Sequence, residues 1–177
     1  LTPLAALELA KVWQRAGLPE GLFRVVAGDG STGAALAAAN IDKLIFTGSV
    51  ATGAKVAAAA AARRLPVLLE LGGKDPIIVL EDADPEAAAA AALWGGLMNC
   101  GQTCISLERI YVARTIAAAF TEALVEKCRR LKLGNGLDPD VEVGPLIRAR
   151  QVRVVEEQVA EARSQGARVL AGGRRSA

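Results

Sequence analysis

At 177 residues the chain has room for one ordinary domain or for two half-domains. Apolar residues make up 52% and charged residues 23%, a globular composition that excludes a disordered chain and lacks the long apolar runs of membrane-spanning helices. Twenty-one Lys and Arg against 19 Asp and Glu leave only +2, and aromatic residues are 3%. Without a concentrated basic footprint or stacking platforms, nucleic-acid binding is disfavoured.

Thr2 before Pro3 reads as a helix cap and first-turn proline, opening a helix over residues 4–16 that stops at Gly17. Residues 22–26 read as a strand ending at Gly28-Asp29-Gly30, with Asp29 or Ser31 capping a short helix over 31–39. A strand over 43–46, a helix over 52–64 and a strand over 67–71 follow, the last closed by Gly72-Gly73. After Asp75-Pro76, residues 77–80 are strand-like, and Pro85 opens an alanine-rich helix towards Asn99. A strand over 109–112, helices over 116–131 and 148–165, and a closing strand over 168–170 complete the pattern. Strands alternating with longer helical runs predict an α/β fold with a largely parallel sheet. Strands that are apolar at consecutive positions, such as Ile77-Ile78-Val79-Leu80, are expected to be covered on both faces.

The absence of histidine removes whole classes of chemistry. A Ser-His-Asp hydrolase, a Cys-His protease and a His-ligated zinc site are impossible within these residues. Cysteines at 100, 104 and 128 are too few for a Cys-only zinc site and odd in number for a disulfide framework, so no metal is expected. A reduced, cytoplasmic setting is the simplest reading, and no secretory signal opens the chain. Both ends read as cut, so an internal piece of a larger enzyme is expected.

Four places remain for chemistry. Phe46-Thr47-Gly48-Ser49-Val50-Ala51-Thr52-Gly53 lies between a strand and a helix, where unpaired N–H groups and two glycines suit a phosphate. Taken alone, such a turn is more often only a turn. Gly28-Asp29-Gly30-Ser31-Thr32-Gly33 is a second glycine-rich turn for which capping suffices, with a wall of an adenine pocket as the alternative. Glu70 interrupts an apolar strand before two glycines. Either it is desolvated, which raises a carboxyl pKa and suits a general base, or it stands at the strand's wet end. Cys104 falls in a turn after Gly101, where backbone N–H groups can favour a thiolate. A single cysteine is more commonly a small buried hydrophobe, and Cys128 fits that description. Cys100 could pair with Cys104 if the loop allowed, although a reducing cytosol favours free thiols.

Phe46-Thr47-Gly48-Ser49, Leu69-Glu70-Leu71-Gly72-Gly73-Lys74 and Gly101-Gln102-Thr103-Cys104, in that order and spacing, closely resemble the aldehyde dehydrogenase superfamily. Glu70 and Cys104 stand 34 positions apart, as that family's base and nucleophile do. Leu18-Pro19-Glu20-Gly21 and Val143-Gly144-Pro145-Leu146 extend the likeness over essentially the whole chain. The resemblance implies a Rossmann-like cofactor-binding part joined to an α/β catalytic part. Residues 1–72 would be the C-terminal part of an NAD(P)-binding domain, and 73–177 the N-terminal part of the catalytic domain. It further implies that Cys104 attacks an aldehyde, passing through a thiohemiacetal and a thioester, and that Glu70 activates the hydrolytic water. Gly48, Ser49 and Gly53 would serve the pyrophosphate of NAD or NADP, with Leu71 and Gly72 on the nicotinamide side. The presence of Glu70 favours the hydrolytic branch, which yields a carboxylic acid. The family's ribose-reading residues, oxyanion asparagine and oligomerisation strands would lie outside the chain, and the parent would be a homodimer or homotetramer. Two rival readings are a truncated fold that serves only as a partner-binding module and a thiol redox protein using Cys100 and Cys104.

Overall fold

The computed structural model describes residues 2–176 and divides into two compact units, with the division between Gly72 and Gly73. In the first unit, helix α1 covers Pro3–Arg15 and helix α2 covers Gly30–Ala38. Strand β1, Leu44–Gly48, leads through Ser49 into helix α3, Val50–Ala62, and the chain returns as strand β2, Val67–Leu71. The two strands pair in parallel, from Leu44 beside Val67 to Gly48 beside Leu71. Helix α3 lies on this pair through Gly53 and Ala60, both buried. Arg63, just past its end, donates from Nη1 to the Ala37 carbonyl at 2.7 Å and so ties α3 to α2.

Alanine and glycine decide how closely these layers approach. A Cβ added at Gly53 would come within 2.6 Å of Leu71 Cδ2, so the helix can rest on β2 only because that side chain is missing. The Asp29 carboxylate caps α2, accepting from the Ser31 hydroxyl at 2.6 Å and the Ser31 N–H at 2.9 Å. These bonds, the hydroxyl foremost, hold the Asp29 pKa below the ordinary carboxylate value.

The second unit repeats the β-α-β plan. Strand β3, Asp75–Val79, is followed by helix α4, Pro85–Leu97, a short turn of helix at Met98–Gly101, and strand β4, Leu107–Val112. Strands β3 and β4 are parallel, with a register slip between Asp75 and Pro76, where proline has no N–H to give the ladder. Arg109 Nε donates to the Lys74 carbonyl at 2.7 Å, and Lys74 Nζ pairs with Glu108 at 3.0 Å. Helix α5, Ala117–Arg130, lies against α4. Val79, Ala89, Ala92, Phe120 and Ala123 form the buried core, flanked by Ile77, Ile110 and Leu124. Gly95 repeats the role of Gly53, since a Cβ there would meet Leu107 Cδ1 at 2.4 Å. Helix α6, Ala149–Ser164, closes the series of elements.

The α/β class and the parallel pairing agree with the sequence reading, but four expectations do not. No strand forms over 22–26 or 168–170: Leu22 and Val26 are both exposed, and neither segment has a ladder partner among the described residues. Thr2 precedes α1 without a side-chain cap bond. The parallel strands form two separate pairs rather than one sheet. Within these residues each pair is covered on one face only, leaving Ile45, Leu68, Ile78 and Tyr111 exposed on the other.

Phe120→Ala should lower unfolding stability by about 3–5 kcal/mol, the usual cost of emptying a buried aromatic site. Gly95→Val should cost about 1–3 kcal/mol through overpacking against Leu107. Urea titration followed by far-UV circular dichroism measures both, and a change under 0.5 kcal/mol at Gly95 would show that α4 does not need the close approach.

Candidate active site

Parallel pairing sets Thr47 beside Glu70 and Gly48 beside Leu71. The carboxyl ends of β1 and β2 therefore gather Gly48, Ser49, Glu70, Leu71 and Gly72 at one edge, the edge at which open α/β sheets bind ligands. Ser49 caps α3: its Oγ accepts from the Thr52 N–H at 3.3 Å and lies 3.0 Å from Thr52 Oγ1. The Gly53 N–H goes to the Ser49 carbonyl at 2.8 Å. The N–H groups of Val50 and Ala51 have no acceptor among the described residues. With the partial positive charge of the helix start, they suit an anion. Because the Ser49 hydroxyl is shared with Thr52, backbone N–H groups are the donors this turn has to spare.

The other predicted residues of this unit divide between packing and solvent. Gly53 is buried under the Leu71 side chain, so both residues also serve the fit of α3 on β2. A side chain at Gly48 would collide with the Phe46 ring, reaching 2.5 Å from Cζ. Gly72 is exposed. Glu70 is exposed as well, and its carboxylate makes no ion pair or hydrogen bond among the described residues.

Cys104 belongs to the second unit. Before it, Asn99, Cys100 and Gly101 take left-handed backbone conformations in succession, with φ of 53°, 61° and 72°. Asparagine tolerates this region and glycine is at home there, but for cysteine it is strained. A set of local bonds holds the bend. The Gln102 N–H and Nε2 both donate to the Asn99 carbonyl at 3.2 Å, Asn99 Nδ2 donates to the Gln102 carbonyl at 3.3 Å, and Thr103 Oγ1 donates to the Met98 carbonyl at 3.2 Å. The Ser106 N–H reaches the Thr103 carbonyl at 3.2 Å, so Cys104 and Ile105 are the two central residues of a four-residue turn. Cys104 is exposed, and its N–H has no acceptor among the described residues. Ser106 is 2% exposed and its Oγ has no partner there either.

All three cysteines are free thiols. Cys100 and Cys128 are half-buried, and burial raises the Cys128 pKa. Among the described residues no cluster of His, Cys, Asp or Glu could hold a metal ion, and no helix is long and apolar enough to cross a membrane. The sequence reading assigned no part to the Asn99 and Gln102 side chains or to Ser106. Gln102 stands inside the Gly101-Gln102-Thr103-Cys104 motif, whereas the only linear signal for Asn99 and Ser106 is proximity to Cys104.

Comparison with known proteins places this arrangement. Betaine aldehyde dehydrogenase of Cereibacter sphaeroides strain ATCC 17029 is 44% identical over 177 residues, 99% of this chain but 37% of that protein. The chain thus spans little more than a third of the length of such relatives. An aldehyde dehydrogenase of Bacillus cereus, solved as an NAD+ complex, superposes with a TM-score of 0.95 at 40% identity, covering 99% of this chain and 36% of that one. An NADP-dependent enzyme of E. coli superposes at 0.93 with 41% identity, covering 98% of this chain and 36% of that one. The aldehyde dehydrogenase family model matches residues 1–177. By sequence and by fold, the chain belongs to the aldehyde dehydrogenase family.

Proposed function

We propose that the chain supplies the nucleophile, the water-activating base and part of the cofactor cradle of an enzyme that oxidises an aldehyde to a carboxylic acid with NAD+ or NADP+. Residues 1–72 act as the C-terminal part of the cofactor-binding domain, and 73–177 as the N-terminal part of the catalytic domain. One observation carries the reading: Cys104 is exposed in a bonded turn with its own N–H unengaged. A thiol and an N–H donor on one residue are what attack on a carbonyl requires.

Gly48 and Ser49 lead into the start of α3, which fits the cofactor's pyrophosphate because the Val50 and Ala51 N–H groups have no acceptor among the described residues. Gly53 assists by letting α3 lie close to β2, while Leu71 and Gly72 border the nicotinamide side. Bound NAD(P)+ accepts the hydride that leaves the aldehyde carbon. Cys104 Sγ, as thiolate, forms a bond to that carbon, and the Cys104 N–H helps hold the oxygen as it becomes an oxyanion. Loss of hydride leaves an acyl thioester on Cys104. Glu70 takes a proton from water, the water oxygen adds to the acyl carbon, and Sγ departs as thiolate. In sum, aldehyde, NAD(P)+ and water give carboxylic acid, NAD(P)H and a proton. A cytoplasmic homodimer or homotetramer acting on a small aldehyde, with no nucleic-acid partner, belongs to the same reading.

The deciding experiment is an aldehyde panel with both cofactors, run on the longer protein that contains this chain and followed by NAD(P)H absorbance. Cys104→Ser should abolish turnover. Glu70→Gln should slow it by about 100- to 10,000-fold and let an acyl adduct on Cys104 accumulate in the mass spectrum. Full activity of Cys104→Ser would overturn the reading. With limiting iodoacetamide at neutral pH, Cys104 should be alkylated first and Cys128 last, since burial holds the latter as thiol. Preferential labelling of Cys128 would contradict that order. The 177-residue chain alone should oxidise aldehydes at least about 100- to 1000-fold more slowly than the longer enzyme, the typical loss for one oxyanion donor.

A further inference from the structure

One side chain of the Gly101-Gln102-Thr103-Cys104 motif has no role in the chemistry above, yet it makes the longest-range bond of the turn. Gln102 Oε1 accepts the Ile147 N–H at 3.0 Å, across 45 positions of sequence, while Nε2 of the same carboxamide donates to the Asn99 carbonyl at 3.2 Å. The segment it grips is itself braced. The Glu142 and Val143 N–H groups both donate to the Lys132 carbonyl, at 2.9 and 3.2 Å, and the Lys132 N–H donates to Glu142 Oε2 at 2.9 Å. The Gly134 N–H reaches the Val143 carbonyl at 3.2 Å, closing the base of the loop that runs from 132 to 143. From that base Gly144-Pro145-Leu146-Ile147 passes beside the bend as a short strap. The strap also runs close to the bend at a place independent of Gln102: a Cβ built on Gly144 would come to 3.7 Å from Cys100 Sγ.

We infer that Gln102 is a positioning residue for Cys104, its carboxamide locking the strained bend at Asn99–Gly101 to the strap at Gly144–Ile147. The chemistry of the side chain fits this task. One group must accept from one backbone N–H and donate to a different backbone carbonyl, which an uncharged carboxamide does and a carboxylate, an ammonium or a thioether does not. Cys104 follows two residues later, so any drift of the bend displaces the thiol. Displacements of about 1 Å at a reacting group can cost about a hundredfold in rate.

The inference rests on the proposed thiol chemistry, and its test separates the two. In the longer enzyme, Gln102→Met keeps the length of the side chain and removes both bonds, whereas Gln102→Glu keeps the acceptor for Ile147. Steady-state kinetics with propanal and cofactor should show kcat reduced about 10- to 100-fold in Gln102→Met, with the KM for cofactor within about twofold. Gln102→Glu should recover part of the loss. Alkylation by iodoacetamide, mapped by mass, gives a readout independent of turnover. The Cys104-to-Cys128 ratio should fall several-fold in Gln102→Met as the turn loses its fixed N–H groups, while the rate at Cys128 stays unchanged. A kcat within twofold of the wild type together with an unchanged ratio would overturn the inference. A joint rise in reactivity at all three thiols would also overturn it, because that is the mark of general loosening. If the wild-type enzyme oxidised no aldehyde, the functional reading would fail, and the alkylation ratio would still decide the part played by Gln102.

Discussion

Close approach of a helix to a strand at a glycine is the constraint on which both units are built. In the first, α3 comes down on β2 where Gly53 leaves room for Leu71; in the second, α4 comes down on the Leu107 end of β4 at Gly95. A methyl group at either place would enter the space of a leucine. The alanines around them extend the same economy of volume, which is why a core as small as Val79, Ala89, Ala92, Phe120 and Ala123 can be buried. Such helices bury little area per residue, so their stability depends on short distance more than on large side chains.

The same approach fixes where the candidate residues of the first unit stand. A helix seated tightly on a parallel pair must begin at the carboxyl ends of the strands, and its unpaired N–H groups gather there. Ser49 and Gly48 occupy that position because β1 ends at Gly48 and α3 starts at Val50. Glu70 arrives beside them by register alone, being paired with Thr47. Its partners in the ladder, and nothing local to its own strand, bring it to that edge.

How much of this could be read from the sequence depends on how local each cause is. Helices bounded by Pro3, Ser49, Pro85 and the glycines were legible within a residue or two, since caps and breakers act within a turn. The family was legible from the motifs that hold Gly48, Ser49, Glu70, Leu71, Gly72 and Cys104, because three separate patterns stand in register. The expected strands at 22–26 and 168–170 failed for the opposite reason: a strand exists only with a partner, and an apolar run carries no information about one. Consecutive apolar residues in β1 and β3 describe what both faces prefer, while these residues cover only one. Gly53 reads as a cofactor contact from the sequence, and the structure shows its packing against Leu71, which no local pattern announces until the leucine opposite is known.

The surroundings of Cys104 lay furthest from sequence reasoning, and the reason is energetic. A non-glycine residue held in the left-handed region costs on the order of 1–3 kcal/mol, and persists only where its surroundings over-determine it. Asn99 and Cys100 are both so held, directly before the motif. Four short-range bonds from Asn99, Gln102 and Thr103 offset part of that cost, and the long-range bond from the Ile147 N–H to Gln102 adds a contact from a remote segment. Strain and bonding together leave the bend few alternatives. An exposed thiol on a loose loop would sample many directions, whereas this one is exposed and held at once. That combination leaves the sulfur open to solvent while its turn stays fixed.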